Sequence, residues 1–536
     1  MEQPQVAVDQ GWTTKKQVIL GIIALFAGMF VCNSFFRSFG IVSPKIAGEL
    51  NGISLYSWSI SLSSLASAFV TLTFVKFSDM YGRRIIMLLS LLLFLAGAIM
   101  AALSETYVFY IVAVVVLFLG WGAIRPLCYS VVGDLFPPVE RSKWTGLLTI
   151  PAGIASASCP ILTGIVTDRL GWRYFFWSFV PLVVITGTFV ILGVSSLTRR
   201  TAHRIDVAGI SWLAISLSTT IVCFSWAGSQ YSWFSFRIIG LLSASLVFWV
   251  IFFWTEARAK EPVLDPQVFT NRTFLTAAGA VVLSSFGVVT VQMYYPLFLQ
   301  GVQGIDATRT GQILTPYNML VDFMGLPAGY LLAATKRCKG MLVSGYALFA
   351  VAVLVTLTFN AGTAVWVGVL TTVLAGFGFG AIPTISLLVV QFAAPKRLLG
   401  IVVGGVFFAV YLGAALAPAI LGSAMNASYA KTVQASLPAE LSRVANEPAF
   451  KPLINPRVLL SPQSMAQLRK AYDGFGSRGP ALFDETVQAI RGSLQASLRT
   501  VFLISAVAML AALLLIVTIP EVSMDVEVRD KRADHS

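Results

Sequence analysis

Apolar residues run through this chain in blocks of about twenty, interrupted by short polar turns rich in glycine, proline and basic residues. A helix rises about 1.5 Å per residue, so about twenty apolar residues cross the ~30 Å hydrocarbon core of a bilayer. Fourteen such blocks are present, near 18–41, 54–75, 85–103, 107–135, 145–166, 174–196, 207–227, 238–254, 274–299, 311–334, 341–359, 364–388, 399–423 and 497–519. The pattern predicts an all-α integral membrane protein with 14 transmembrane helices. Its one long polar interruption, 424–496, carries Pro438, Pro448, Pro452, Pro456, Pro462 and Pro480. Between these prolines lie short helical pieces such as 464–472, and an amphipathic run from Phe483 leads into the last block, so a partly helical extracytoplasmic cap is expected.

Composition agrees with that class. Of 536 residues, 57% are hydrophobic and 11% charged, against roughly a quarter charged in soluble domains. The net charge of +13 follows from topology, because short cytoplasmic segments of membrane proteins accumulate lysine and arginine. With the amino terminus inside, the tails and inner loops hold most of the 37 basic residues, including Arg83, Arg84, Arg141, Lys143, Arg199, Arg200, Lys336, Arg337, Lys396 and Arg397; the short outer loops hold Lys45, Arg169, Arg173, Arg237 and Arg309. Both termini are therefore expected in the cytoplasm, and no cleaved signal peptide is expected in the first sixteen residues, which have no apolar core. The five cysteines show no disulfide or zinc spacing and are expected to be packing residues. No phosphate-cradling glycine-rich loop occurs, and the only histidines are His203 and His535. ATP-driven pumping and histidine-based membrane catalysis have no residues to use, so the chain is read as no enzyme, with no cofactor, no metal and a proton gradient as driving force.

Charges inside the apolar blocks are costly and mark function. Of 24 acidic residues one, Asp322, falls mid-block, and it is the candidate proton-coupling group. Arg125 lies near mid-block and Arg37 towards the outer end of the first. A guanidinium binds a carboxylate bidentately, so Arg125 with Arg37 is a candidate anion-binding set. Trp121, one turn before Arg125, and Gln292 and Tyr295 in the ninth block are candidate cavity-lining residues. Two bland readings stand beside these: a permanent Arg125–Asp322 bridge, and Arg37 snorkelling to the outer interface.

The turn after the second block reads Lys76-Phe-Ser-Asp79-Met-Tyr-Gly82-Arg83-Arg84. It resembles the loop signature of the major facilitator superfamily, as do Asp134-Leu-Phe-Pro-Pro-Val-Glu-Arg141 and Leu170-Gly-Trp172-Arg173. Later segments, Ile205-Asp206-Val-Ala-Gly209, Glu256–Asp265 and Tyr295–Gly304, resemble its fourteen-span drug:proton antiporter branch. The resemblance implies two six-helix bundles, residues 18–196 and 273–519, with two inserted helices within 197–272 and cytoplasmic tails 1–17 and 520–536. It implies alternating access, with Asp79, Gly82, Arg83, Arg84, Asp134 and Arg141 forming a gate latch. Departures from the branch are Phe35, where an acidic residue commonly stands nine positions before Pro44, and Val116, where an arginine is expected.

The leading functional expectation is a proton-coupled exporter of amphipathic organic compounds in the inner membrane. The alternative is a proton-coupled organic-anion transporter, with uptake one of the directions open to it, that binds a carboxylate through Arg125 and Arg37. A lesser alternative is a non-transporting membrane sensor. Expected partners are a small organic substrate, protons and lipid, with a periplasmic adaptor a candidate for the long loop, no nucleic acid, and a functional monomer.

Overall fold

The computed structural model describes residues 15–50, 56–194, 206–227, 231–259, 268, 270–305, 307–335, 337–394, 398–436, 469–470, 472 and 478–521. Every named element is a helix: α1 (Lys15–Glu49), α2 (Tyr56–Tyr81), α3 (Arg83–Ala102), α4 (Tyr107–Leu135), α5 (Pro138–Leu147), α6 (Thr149–Arg169), α7 (Trp172–Gly193), α8 (Val207–Trp226), α9 (Phe236–Glu256), α10 (Arg272–Val289, continuing through two π-turns to Val302), α11 (Ala307–Phe323), α12 (Gly325–Thr335), α13 (Cys338–Val355), α14 (Val365–Ala393), α15 (Leu399–Ser436) and α16 (Gly479–Val517). Among the described residues ten helices are long and apolar enough to cross a membrane, and α8 carries a shorter apolar stretch, Ala208–Phe224. The serine-rich α2, α6, and the pair α11–α12, broken at Met324, occupy three more of the predicted blocks. α2 buries Ser59, Ser63, Ser67, Thr71, Thr73 and Ser78.

Two of the breaks have a covalent cause. Proline has no N–H for the carbonyl four residues earlier. Pro327 thus leaves Phe323 without that bond, and α11 ends there, one residue after Asp322. Pro296 does the same for Gln292, and α10 shifts into π-turns at Thr290–Tyr294 and Phe298–Val302.

In the first part of the chain α1 packs on α6 and α7, α2 and α3 on α4, and α3 on α7; in the second, α10 packs on α15 and α16, α11 on α14, and α13 on α14 and α16. Contacts between these sets run along α2–α15, α4–α15, α5–α12 and α6–α11, while α8, paired with α9, touches α2 and α15. The predicted polar interruption shortens at both ends, because α15 continues to Ser436 and α16 starts at Gly479. These helices, 38 and 39 residues long, exceed the bilayer core at ~1.5 Å per residue. Their extension encloses a second apolar core with Tyr429, Val433, Tyr472, Leu482, Ile490 and Leu494. Most of the piece expected at 464–472 lies outside the described residues, but Tyr472 is buried and its hydroxyl donates to Thr486 Oγ1 at 2.9 Å.

Candidate functional site

Asp322 pairs with Arg37. One Arg37 Nη donates to Asp322 Oδ2 at 2.8 Å, and Arg37 Nε donates to Ser156 Oγ on α6 at 3.0 Å. Asp322 is 7% and Arg37 19% exposed, so the pair is held largely out of solvent and ties α1 to α11 and α6. This corrects two expectations: no permanent Arg125–Asp322 bridge forms, and Arg37 is engaged inward rather than snorkelling. Tyr317, five residues earlier on α11, is fully buried; among the described residues its hydroxyl has no well-formed hydrogen bond, and it lies beside Gln292 and near the pair. Gln292 therefore reaches this cluster from the first π-turn of α10, and such turns often mark functional positions.

Arg125 occupies a different place. Pro126 frees the Gly122 carbonyl, and Thr71 Oγ1 of α2 shares its proton between Ser67 O (2.7 Å) and Gly122 O (2.9 Å), which braces the helix beside the arginine. Arg125 lines a cavity of about 50 Å3 with Tyr129, Ser284, Ser285, Pro383 and Phe407. Its guanidinium sits 5.7 Å from the centre of the Phe407 ring, and its Nε is buried without a hydrogen bond. Among the described residues no carboxylate lies within ion-pair distance of it. Trp121 stands one turn away, stacked on Phe36 at 5.3 Å and 5.9 Å from Tyr411 of α15. Its indole N–H donates to Cys32 O at 2.8 Å, so Trp121 fastens α1 to α4 and reaches across to the second set of helices.

Tyr295 is not brought to this site. It is buried in the second core against Phe298 and Phe359. Phe35, where the branch pattern has an acid, is fully buried among Phe39, Phe94, Phe118, Phe175 and Phe179, with ring centroids 5.2–5.8 Å away.

The loop signature assembles around Arg83. It binds Asp79 at 2.5 Å and Asp134 at 2.8 Å, joining α2, α3 and α4. Gly82 makes the turn at φ 96°, a conformation glycine adopts without a Cβ clash. Burial raises the Asp79 carboxyl to about 6; Arg83 acts against this and Asp134 adds to it. The Asp79 carboxylate lies so close to Gly400, at the start of α15, that a Cβ there would overlap it. Arg141 donates to Gly133 O at 2.7 Å and Phe136 O at 3.3 Å, capping the end of α4. Arg84 is half-buried at the start of α3 and makes no ion pair among the described residues. Nearby, α5 and α12 meet through Gly146 and Gly329, where a side chain at 329 would strike Ser142 O. Nothing in the sequence singles out these glycines, Tyr317 or Ser156, since each is significant only through a contact distant along the chain.

The family model of the Major Facilitator Superfamily matches residues 24–418. The chain is 27% identical over 497 residues to the multidrug transporter protein MdtP of Bacillus subtilis (strain 168), covering 92% of this chain and 91% of that one. It is 30% identical over 341 residues to multidrug resistance protein 3 of the same organism, covering 63% of this chain and 65% of that one. Among solved structures, the proton:xylose symporter XylE bound to 6-bromo-6-deoxy-D-glucose superposes with a TM-score of 0.55 at 11% identity, covering 95% of this chain and 97% of that one; this is a likeness of fold. The family match spans most of the chain, including both arginines, Asp322 and the Arg83 cluster: this multi-pass membrane protein belongs to the Major Facilitator Superfamily of transporters.

Proposed function

We propose that the protein exports amphipathic organic compounds by alternating access, driven by proton movement through Asp322. The carrying observation is the Arg37–Asp322 ion pair, a carboxylate at a helix break in the middle of its apolar block, joined to the opposite set of helices. Transporter sites of this kind lie near the midplane at such breaks. Protonating Asp322 releases Arg37, and the α1–α11 tie loosens; deprotonation restores it. Relatives named as multidrug transporters support drug-like substrates.

The supporting architecture is fourteen spans with both termini in the cytoplasm and the long loop outside, in the inner membrane. Residues 18–196 and 273–519 form the rocking halves, 197–272 carries the inserted pair, and the Arg83 cluster latches the cytoplasmic side. In the conformation described, Asp79–Gly400 and Gly146–Gly329 hold that side shut. The Arg125 cavity of about 50 Å3 is far below the ~300–1,000 Å3 of a drug-sized site, so in the conformation described it does not itself hold such a substrate. The alternative two-arginine clamp on a carboxylate lacks one member here, since Arg37 is taken by Asp322.

The test is proton movement in proteoliposomes on adding candidate substrates, with wild type against Asp322→Asn. Loss of substrate-dependent flux with substrate binding retained is expected. Unchanged flux would move coupling to another carboxylate and overturn the reading.

A further inference from the structure

We propose that the cavity at Arg125 is a binding site for one small singly charged anionic group. The argument begins with charge. A guanidinium keeps its proton in proteins, and a charge out of water must be compensated. Arg37 and Asp322 neutralise each other. Among the described residues, the titratable groups that act on Arg125 at close range are Tyr129, the Cys32 thiol and Tyr411, none a counter-charge, and Asp322 acts on it only from beyond pairing distance. The pocket therefore carries one net positive charge, with the Arg125 Nε–H buried and unspent.

The shape of the cavity selects the ligand. About 50 Å3 admits a few water-sized species, enough for a chloride, a nitrate or the head of a carboxylate, but not a drug. Its other walls are apolar, including Phe379, Ile382, Leu387 and Val406. The hydroxyls of Ser284 and Ser285 already donate to Val281 O at 2.8 and 3.2 Å. Arg125 is thus the principal donor, and it favours a compact monoanion over a phosphate dianion, which needs more donors. The walls come from α4, α10, α14 and α15, so an anion seated there holds both sets of helices together. The group is either a free inorganic ion or the acidic end of a substrate whose apolar remainder lies outward, past Trp121.

The test is independent of proton coupling and uses the purified full chain in detergent without a gradient. Thermal unfolding is followed while chloride or nitrate replaces gluconate at constant ionic strength, and separately while octanoate is added. A saturable rise of a few degrees in Tm with the small ions, lost in Arg125→Gln and kept in Arg37→Gln, supports a resident ion. A rise with octanoate alone, likewise lost in Arg125→Gln, assigns the site to a substrate head group. No saturable rise with any of them in the wild type overturns the proposal. If Arg125→Gln fails to fold, Val406→Phe fills the cavity while leaving the arginine in place; a rise undiminished in that variant also overturns it.

Discussion

Arg37 and Asp322 show why a buried ion pair is a poor stabiliser but a good switch. Both ions surrender hydration, and their attraction returns little more than that cost; removing one partner leaves the other stranded, at about 3–5 kcal/mol. We therefore expect Arg37→Ala to be destabilised by roughly that amount, and Arg37→Gln/Asp322→Asn to be more stable than Arg37→Ala. Thermal unfolding of the three variants checks this, and a double variant less stable than Arg37→Ala would contradict the buried-pair account. At Phe35 the same physics forbids restoring the acid of the drug-exporter pattern. The five rings around Phe35 offer no hydrogen bond, so Phe35→Asp is expected to reduce the yield of folded protein severely and to rescue no coupling. Asp322 was legible from the sequence because one acid among 24 sits mid-block. Its partner was not, because Arg37 and Arg125 lie far from it along the chain and nothing in their local sequence ranks them.

Among the elements, the informative ones are those in which proline interrupts a helix. Pro126, Pro296 and Pro327 each free a carbonyl, and the three answers differ: Thr71 spans to Gly122, α10 winds into π-turns, and α11 stops beside Asp322. The prolines are visible in the sequence; which answer each receives depends on a neighbouring helix and is not. The turn between α2 and α3 adds a pH dependence. Asp79 titrates near 6 when buried against Gly400 and near 3.9 when hydrated. A carboxyl whose pKa is raised in one state favours that state at low pH. The state in which Asp79 lies against Gly400 is therefore most favoured below about 3.9, and this contribution fades as pH rises through 6. Labelling of a cysteine placed at Ser142, expressed relative to the labelling of free cysteine at the same pH so that the thiolate fraction cancels, is expected to be slower at pH 5 than at pH 8, and Asp79→Asn should flatten the difference. Faster labelling at pH 5 would show that the paired, ionised form of Asp79 governs closure instead.

For the whole molecule, membrane class and the positions of the apolar blocks were legible, because twenty-residue apolar runs have few other fates in water. The extent of the outer region was not. α15 and α16 run past their apolar stretches and pack on each other, and the burial of Tyr429 on α15 and Ile490 on α16 belongs to those extensions. The seams between the two sets of helices were equally hidden, since small residues such as Gly146 and Gly329 carry no signal until they face each other. In membranes, close approach through small residues is a principal source of helix association, so this seam is a contact that forms and breaks as a unit. If the halves rock, a covalent tie across it must arrest the cycle. On the α2–α15 line of the same boundary, where a Cβ at Gly404 would stand 3.4 Å from that of Val75, close to disulfide geometry, Val75→Cys/Gly404→Cys is expected to transport when reduced, to lose nearly all transport on oxidation and to recover with dithiothreitol. The native cysteines are buried, which limits competing disulfides. Full transport by the demonstrably cross-linked protein would mean that the α2–α15 contact stays shut throughout the cycle, and that the motion lies elsewhere than between these helices.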